Sequence, residues 1–244
     1  MVRVTLQPLA AGIDTESIPL TGPSAAVGAL WTRVLEWRCR DHLLSLQVLA
    51  AEAIDLPGNE VSEPVAGALA RLQQALHGHG GLLLLRNPHE AFGPARIALT
   101  SGVRLFAIAS AADEACWDAA LSLVLPVYGV RDVLSCEVAS GHPAAVISAL
   151  AYGAFVCEQG LQLARLDEDR TGVRIVGQSA VEATVIVRGG FEAARLKGDD
   201  LRWDDRGNEG YVRLLVQSAG GRCWTQPRFV APRSPIPGGA HGHP

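Results

Sequence analysis

Two kinds of hydrophobic pattern divide this chain, and the change between them falls near Gly160. Before it, short apolar runs alternate with stretches of helical period. Residues 2–9, 34–39, 82–85, 103–109 and 127–130 read as strands, and residues 24–33, 63–77, 113–124 and 143–152 read as helices. The helix over 63–77 has the clearest signal. Val65, Leu69, Leu72 and Leu76 recur at helical spacing, Ser62 stands where an N-cap belongs, and Gly78 lies past the end. Leu82 to Leu85 is a continuous apolar run after Gly80-Gly81, which suits a strand covered on both faces. Strand–helix alternation implies a parallel sheet or barrel. After Gly160 the helical period stops. Residues 161–166, 173–176, 184–187, 211–216 and 223–230 form short strands split by Gly- and Asp-rich turns, with Ala219-Gly220-Gly221 as a hairpin signal. The expected organisation is an α/β unit over 1–158, a small β appendage over 159–231 and a disordered Pro- and Gly-rich tail over 232–244.

A chain of 244 residues can bury one large core, or one large and one small. Its formal charge of −4 offers no basic footprint for nucleic acid, and no apolar run approaches the length of a membrane span. Residues 1–5 lack the charged-then-apolar build of a signal peptide, so a cytoplasmic location is expected. The five cysteines are odd in number and widely spaced, with no C-x-x-C, and read as reduced, buried thiols. The partners expected are a small-molecule ligand or another protein, with neither nucleic acid nor membrane.

Several short motifs recur in a recognisable order. Arg40-Asp41-His42 follows the apolar run 34–39, and Leu56-Pro57-Gly58-Asn59-Glu60 comes next. Gly80-Gly81-Leu82 leads to Asn87-Pro88, and Asp132-Val133-Leu134 precedes Ala149-Leu150 and Tyr152-Gly153-Ala154-Phe155. Trp224-Thr225-Gln226-Pro227 closes the series. This order and spacing resemble the PHP (polymerase and histidinol phosphatase) superfamily of metal-dependent hydrolases, nearest its carbaryl-hydrolase-like branch. The resemblance implies a distorted (β/α)7 barrel followed by a small all-β C-terminal segment. It also implies a site of several metal ions at one end of the strands.

On that resemblance, Asp41 and His42 match the family's T-D-H, Glu60 its bridging carboxylate and Asp132 its late aspartate. Thr5, Gln7 and Leu9 replace a D-x-H-x-H ligand set, while Asn87 and Leu134 replace two histidines. Asp41, Glu60, Asn87 and Asp132 are expected to cluster at one end of the barrel, with Thr5, Gln7, Asn87 and His89 lining the pocket. Losing five ligands should dismantle the metal cluster, because affinity needs the right donor count. The expected cofactor is therefore none, or one divalent ion such as zinc, manganese or iron on His42, Glu60 and Asp132. Two functions follow. The first is a pseudoenzyme that serves as a ligand- or partner-binding scaffold. The second is a hydrolase of phosphoesters, amides or carbamates, using a single metal or metal-free acid/base chemistry through His42 and Asp41. Elsewhere, His77 and His79 read as helix-end residues, His142 as a loop residue and Cys39 as a small buried hydrophobe.

Overall fold

The computed structural model describes residues 2–7, 17–22, 26–40, 42–58, 62–131 and 133–232. The chain opens with four strands, β1 (Val2–Leu6), β2 (Ser17–Thr21), β3 (Ala26–Cys39) and β4 (His42–Ala50). Helix α1 (Val65–His77) leads to β5 (Leu82–Leu85), two single-turn helices α2 (Pro88–Ala91) and α3 (Gly93–Arg96), and β6 (Leu105–Ala107). Helix α4 (Ala111–Ser122), β7 (Tyr128–Val130), β8 (Val133–Val138), α5 (Pro143–Ala151) and β9 (Val156–Gln159) follow. The rest is strand: β10 (Leu163–Glu168), β11 (Gly172–Val187), β12 (Phe191–Asp204), β13 (Tyr211–Ser218), β14 (Gly221–Thr225) and β15 (Arg228–Phe229).

All fifteen strands belong to one mixed sheet, so the expected (β/α)7 barrel is not the fold of this chain. Among the strand pairs of the described residues, only β5–β6 and β6–β7 are parallel. The first four strands run antiparallel, each to the next, with no helix between them among the described residues. Residues 24–33 mislead at this point. Their described part lies in β3, which pairs with β4 from Trp31↔Ala50 to Cys39↔His42. Trp31, Thr32, Val34 and Trp37 suit a pleated, half-covered surface, and an adjacent antiparallel partner outweighs a weak helical pattern.

The sheet separates two apolar layers. Leu83, Leu85, Phe106 and Ile108 face helices α1 and α4, while Leu82, Leu84, Leu105, Ala107 and Val130 share a core with Val146, Ile147 and Leu150 of α5. This alternation is why β5 reads as apolar throughout. A third core, including Val173, Val185, Trp203, Leu214 and Val216, lies among the later strands.

Helix α4 is held to those strands by buried charge. Its start is well specified: Ser110 and Asp113 form a reciprocal capping box. One turn on, Asp118 receives Nε and Nη2 of Arg213 at 3.0 and 2.8 Å, and the Tyr211 hydroxyl at 2.7 Å. Glu114 bridges Arg213 at 2.9 Å and Arg131 at 2.8 Å. Arg213 is 2% exposed and lies over the Trp117 ring at 4.7 Å. Removing one member of such a network leaves a buried charge uncompensated. Asp118→Ala is expected to lower unfolding stability by about 3–5 kcal/mol in urea titration. Asp118→Ala combined with Arg213→Met should recover part of that loss.

Burial also protonates the interior. Burial, and donation to Asp118, push the Tyr211 phenol up, and burial pushes the thiols of Cys116 and Cys136 up to about 11. The folded chain therefore holds these protons where the unfolded chain releases them. Their stability contribution is complete below the ordinary thiol value of 9.0 and is lost as pH rises through about 11. Melting temperature under reducing conditions should fall steadily across that interval. A flat profile would contradict the assignment.

Candidate functional site

His42 begins β4 and touches the short helices that follow β5. Its Nδ1 lies 2.9 Å from the Ala91 carbonyl and its Nε2 lies 3.0 Å from Nη2 of Arg96. A carbonyl can only accept and a guanidinium can only donate. The ring is therefore the neutral Nδ1–H tautomer, with its Nε2 lone pair taken by Arg96. The imidazole also stacks on Phe92, with centroids 5.3 Å apart. Asn87, at the end of β5, accepts from the Ser45 N–H at 3.0 Å and donates to the Leu43 carbonyl at 3.4 Å. Its amide is thus spent tying β5 to β4. His42 and Asn87 line one shallow pocket of about 410 Å³ with Leu43, Glu90, Ala91 and Arg96.

The other sequence-predicted positions are dispersed. His89 starts α2, where its backbone N–H donates to Asp113 at 3.3 Å, and its side chain does not line that pocket. Thr5 bonds the Thr21 hydroxyl across β1 and β2, and Gln7 is exposed beyond β1. In the sheet, β2 and β3 stand between β1 and β4, and Leu134 is buried on β8, on the far side of β1. Thr5, Gln7 and Leu134 are therefore not neighbours of Asn87. Leu9, Asp41, Glu60 and Asp132 lie outside the described residues. Among the described residues no group of three or more His, Cys, Asp or Glu is placed to hold a metal ion. His77 and His79 line a separate hollow of about 390 Å³ with Ser148 and Tyr152.

A larger cleft, about 550 Å³, lies between β8, β9 and β10. Glu158 of β9 is 6% exposed there. It is ion-paired with Arg3 of β1 and accepts from the Ser135 hydroxyl at 2.8 Å. Phe155, Leu163 and Leu166 supply apolar wall. Arg165 is engaged by Asp167 at 2.7 Å, whereas Glu137 and Glu168, also lining the cleft, carry no ion pair among the described residues. Sequence reasoning missed this site. One signal was present: 133–138 alternates Leu134, Cys136 and Val138 with Ser135 and Glu137, the pattern of a strand with one polar face.

Compared with protein-family models, curated proteins and solved structures, the chain matches none. No helix among the described residues is long and apolar enough to cross a membrane.

Long-range proton–nitrogen correlation of His42 near pH 8 is expected to show the Nδ1–H tautomer. His42→Ala should cost about 1–2 kcal/mol by orphaning the Ala91 carbonyl. An Nε2–H signal would contradict the bonding pattern.

Proposed function

We propose that this chain is a non-catalytic binding protein whose small-molecule ligand occupies the cleft between β8, β9 and β10. The cleft itself carries the reading: concave, part apolar, with a buried Glu158–Ser135 pair joined to the partly exposed Arg3. Such a combination of apolar wall and few fixed polar groups is the usual build of a ligand site. Glu137 and Glu168 make no ion pair among the described residues, although burial pushes the Glu168 carboxyl up and Arg228 partly offsets this, while both lining arginines are already engaged. The ligand class that complements the two carboxylates is a small organic cation with an aliphatic body.

Acid/base hydrolysis through His42 has less support. A general base needs a free lone pair within reach of its substrate, and Arg96 occupies the one His42 has left. The cleft supports binding independently of the family resemblance.

Agmatine and butyrate separate the charge requirement. Agmatine should raise the melting temperature by a few degrees through preferential binding to the folded state, butyrate should not, and Ala154→Trp should abolish the effect. With added zinc or manganese, 4-nitrophenyl phosphate and 1-naphthyl methylcarbamate should be hydrolysed no faster than in buffer. Turnover lost on His42→Ala would instead establish an enzyme.

A further inference from the structure

Helix α4 ends in a conformation that its sequence does not favour. The Val124 N–H donates to the Leu121 carbonyl at 2.9 Å and the Leu125 N–H to the Ala120 carbonyl at 3.1 Å. These are the two bonds of a Schellman cap, which needs a left-handed residue between them. Val124 fills that place with φ of 59°, and it is the one non-glycine residue with positive φ among those described. Glycine normally stands here, and a β-branched side chain is a conformational outlier. The turn needs the left-handed conformation but not the valine side chain, since Val124 is 69% exposed and its neighbour Leu123 is 54% exposed.

A second turn meets this one. The link between β11 and β12 is fastened to the end of α4 by the Gly189 N–H, which donates to the Ser122 hydroxyl at 3.0 Å. Gly190 donates to the Tyr211 hydroxyl at 3.1 Å. Phe191 follows directly and is 72% exposed. Leu123, Val124 and Phe191 therefore all lie within two residues of the single Ser122–Gly189 bond. All three side chains are exposed large apolar groups, and the Phe191 ring lies against Gly189.

Two exposed arginines accompany these turns, although the chain carries −4. Arg188 lies in the second turn, and Arg104 reaches the Pro126 carbonyl at 3.5 Å, two residues beyond Val124. Of the nearby acids, Asp118 is paired with Arg213 and Glu192 with Arg195, whereas Glu209 keeps its charge, accepting from the backbone N–H groups of Arg206, Gly207 and Asn208.

We propose that this knuckle docks on the surface of an anionic lipid bilayer. Leu123, Val124 and Phe191 enter the boundary between headgroups and acyl chains, and Arg104 and Arg188 lie against the lipid phosphates. Apolar insertion combined with basic residues is how proteins that do not span a membrane bind one. Three exposed apolar side chains suit a soft, penetrable surface, whereas a specific protein interface needs on the order of 800 Å² per partner around a closed core. The strained valine is then kept for its side chain.

The test is cosedimentation of the full chain with mixed phosphatidylcholine–phosphatidylglycerol vesicles and with phosphatidylcholine alone. Binding should be about tenfold weaker without the anionic lipid. Phe191→Ser and Arg188→Gln should each weaken it. Val124→Gly is the decisive variant, because it should raise the unfolding midpoint by removing the strain while lowering vesicle binding several-fold. A loss of binding in a more stable protein is not misfolding. The proposal is overturned if the unmodified chain ignores anionic vesicles, or if Val124→Gly binds them equally well. It is also overturned if lipid-free sedimentation shows a dimer that Phe191→Ser dissolves, since the knuckle would then be a protein contact. None of these outcomes depends on the cleft.

Discussion

Arg213 is the constraint on which much of the remaining architecture depends. It sits on β13 with almost no exposure, between two carboxylates of α4 and the face of Trp117. Taking an ion out of water costs several kcal/mol unless its partners are well placed. Here two bonds to Asp118, one to Glu114 and the ring beneath satisfy most of the guanidinium. Arg131 balances the second carboxylate and lies over Trp224. The network is formally neutral, two acids to two bases, and ties helix α4 to strands nearly a hundred residues later. It therefore fixes where the end of α4 meets the β11–β12 turn.

A second long-range link closes an exposed edge. β7 is the last strand on its side of the sheet. The Gln226 amide both accepts from the Gly129 N–H and donates to the Gly129 carbonyl, each at 2.9 Å. A side chain thus supplies what a neighbouring strand would. Gly129 is required for another reason, since any Cβ there would meet the Trp117 ring at 2.8 Å. β12, which pairs only with β11, is protected differently. It is largely exposed and studded with charge, including Lys197, the chain's single lysine. Charged side chains on an edge discourage pairing with another molecule.

The His42 pocket and the cleft beside β10 are separate places. His42 and Asn87 behave as structural ties, each polar atom given to a neighbour within the fold. The buried thiols of Cys39, Cys116, Cys136 and Cys223 are likewise removed from reaction, because burial resists forming the nucleophilic thiolate. The carboxylates Glu137 and Glu168 face the cleft beside β10 instead. That cleft needs β1, β8, β9 and β10 together, so it exists only once the first and later strands have joined.

What the sequence alone determined is local. The helical period over 63–77, the apolar run 82–85, helices α4 and α5 to within a few residues, and the Ala219-Gly220 turn were all legible, because periodicity and turn residues report burial and backbone geometry over a few neighbours. The nearness of His42 to Asn87 follows from the antiparallel pairing of β4 with β5, which the local pattern does not show. The barrel was misread because alternation of strand and helix does not specify strand direction. Residues 26–33 were misread as helix because their partners β2 and β4 were not recognised. The Arg3–Glu158 pair, 155 residues apart, and the Arg213–Asp118 clamp, 95 apart, leave no local trace. A residue's own pattern encodes which face it buries. Which distant residue it meets is decided by competition among strand pairings, and that is settled only when the whole sheet assembles.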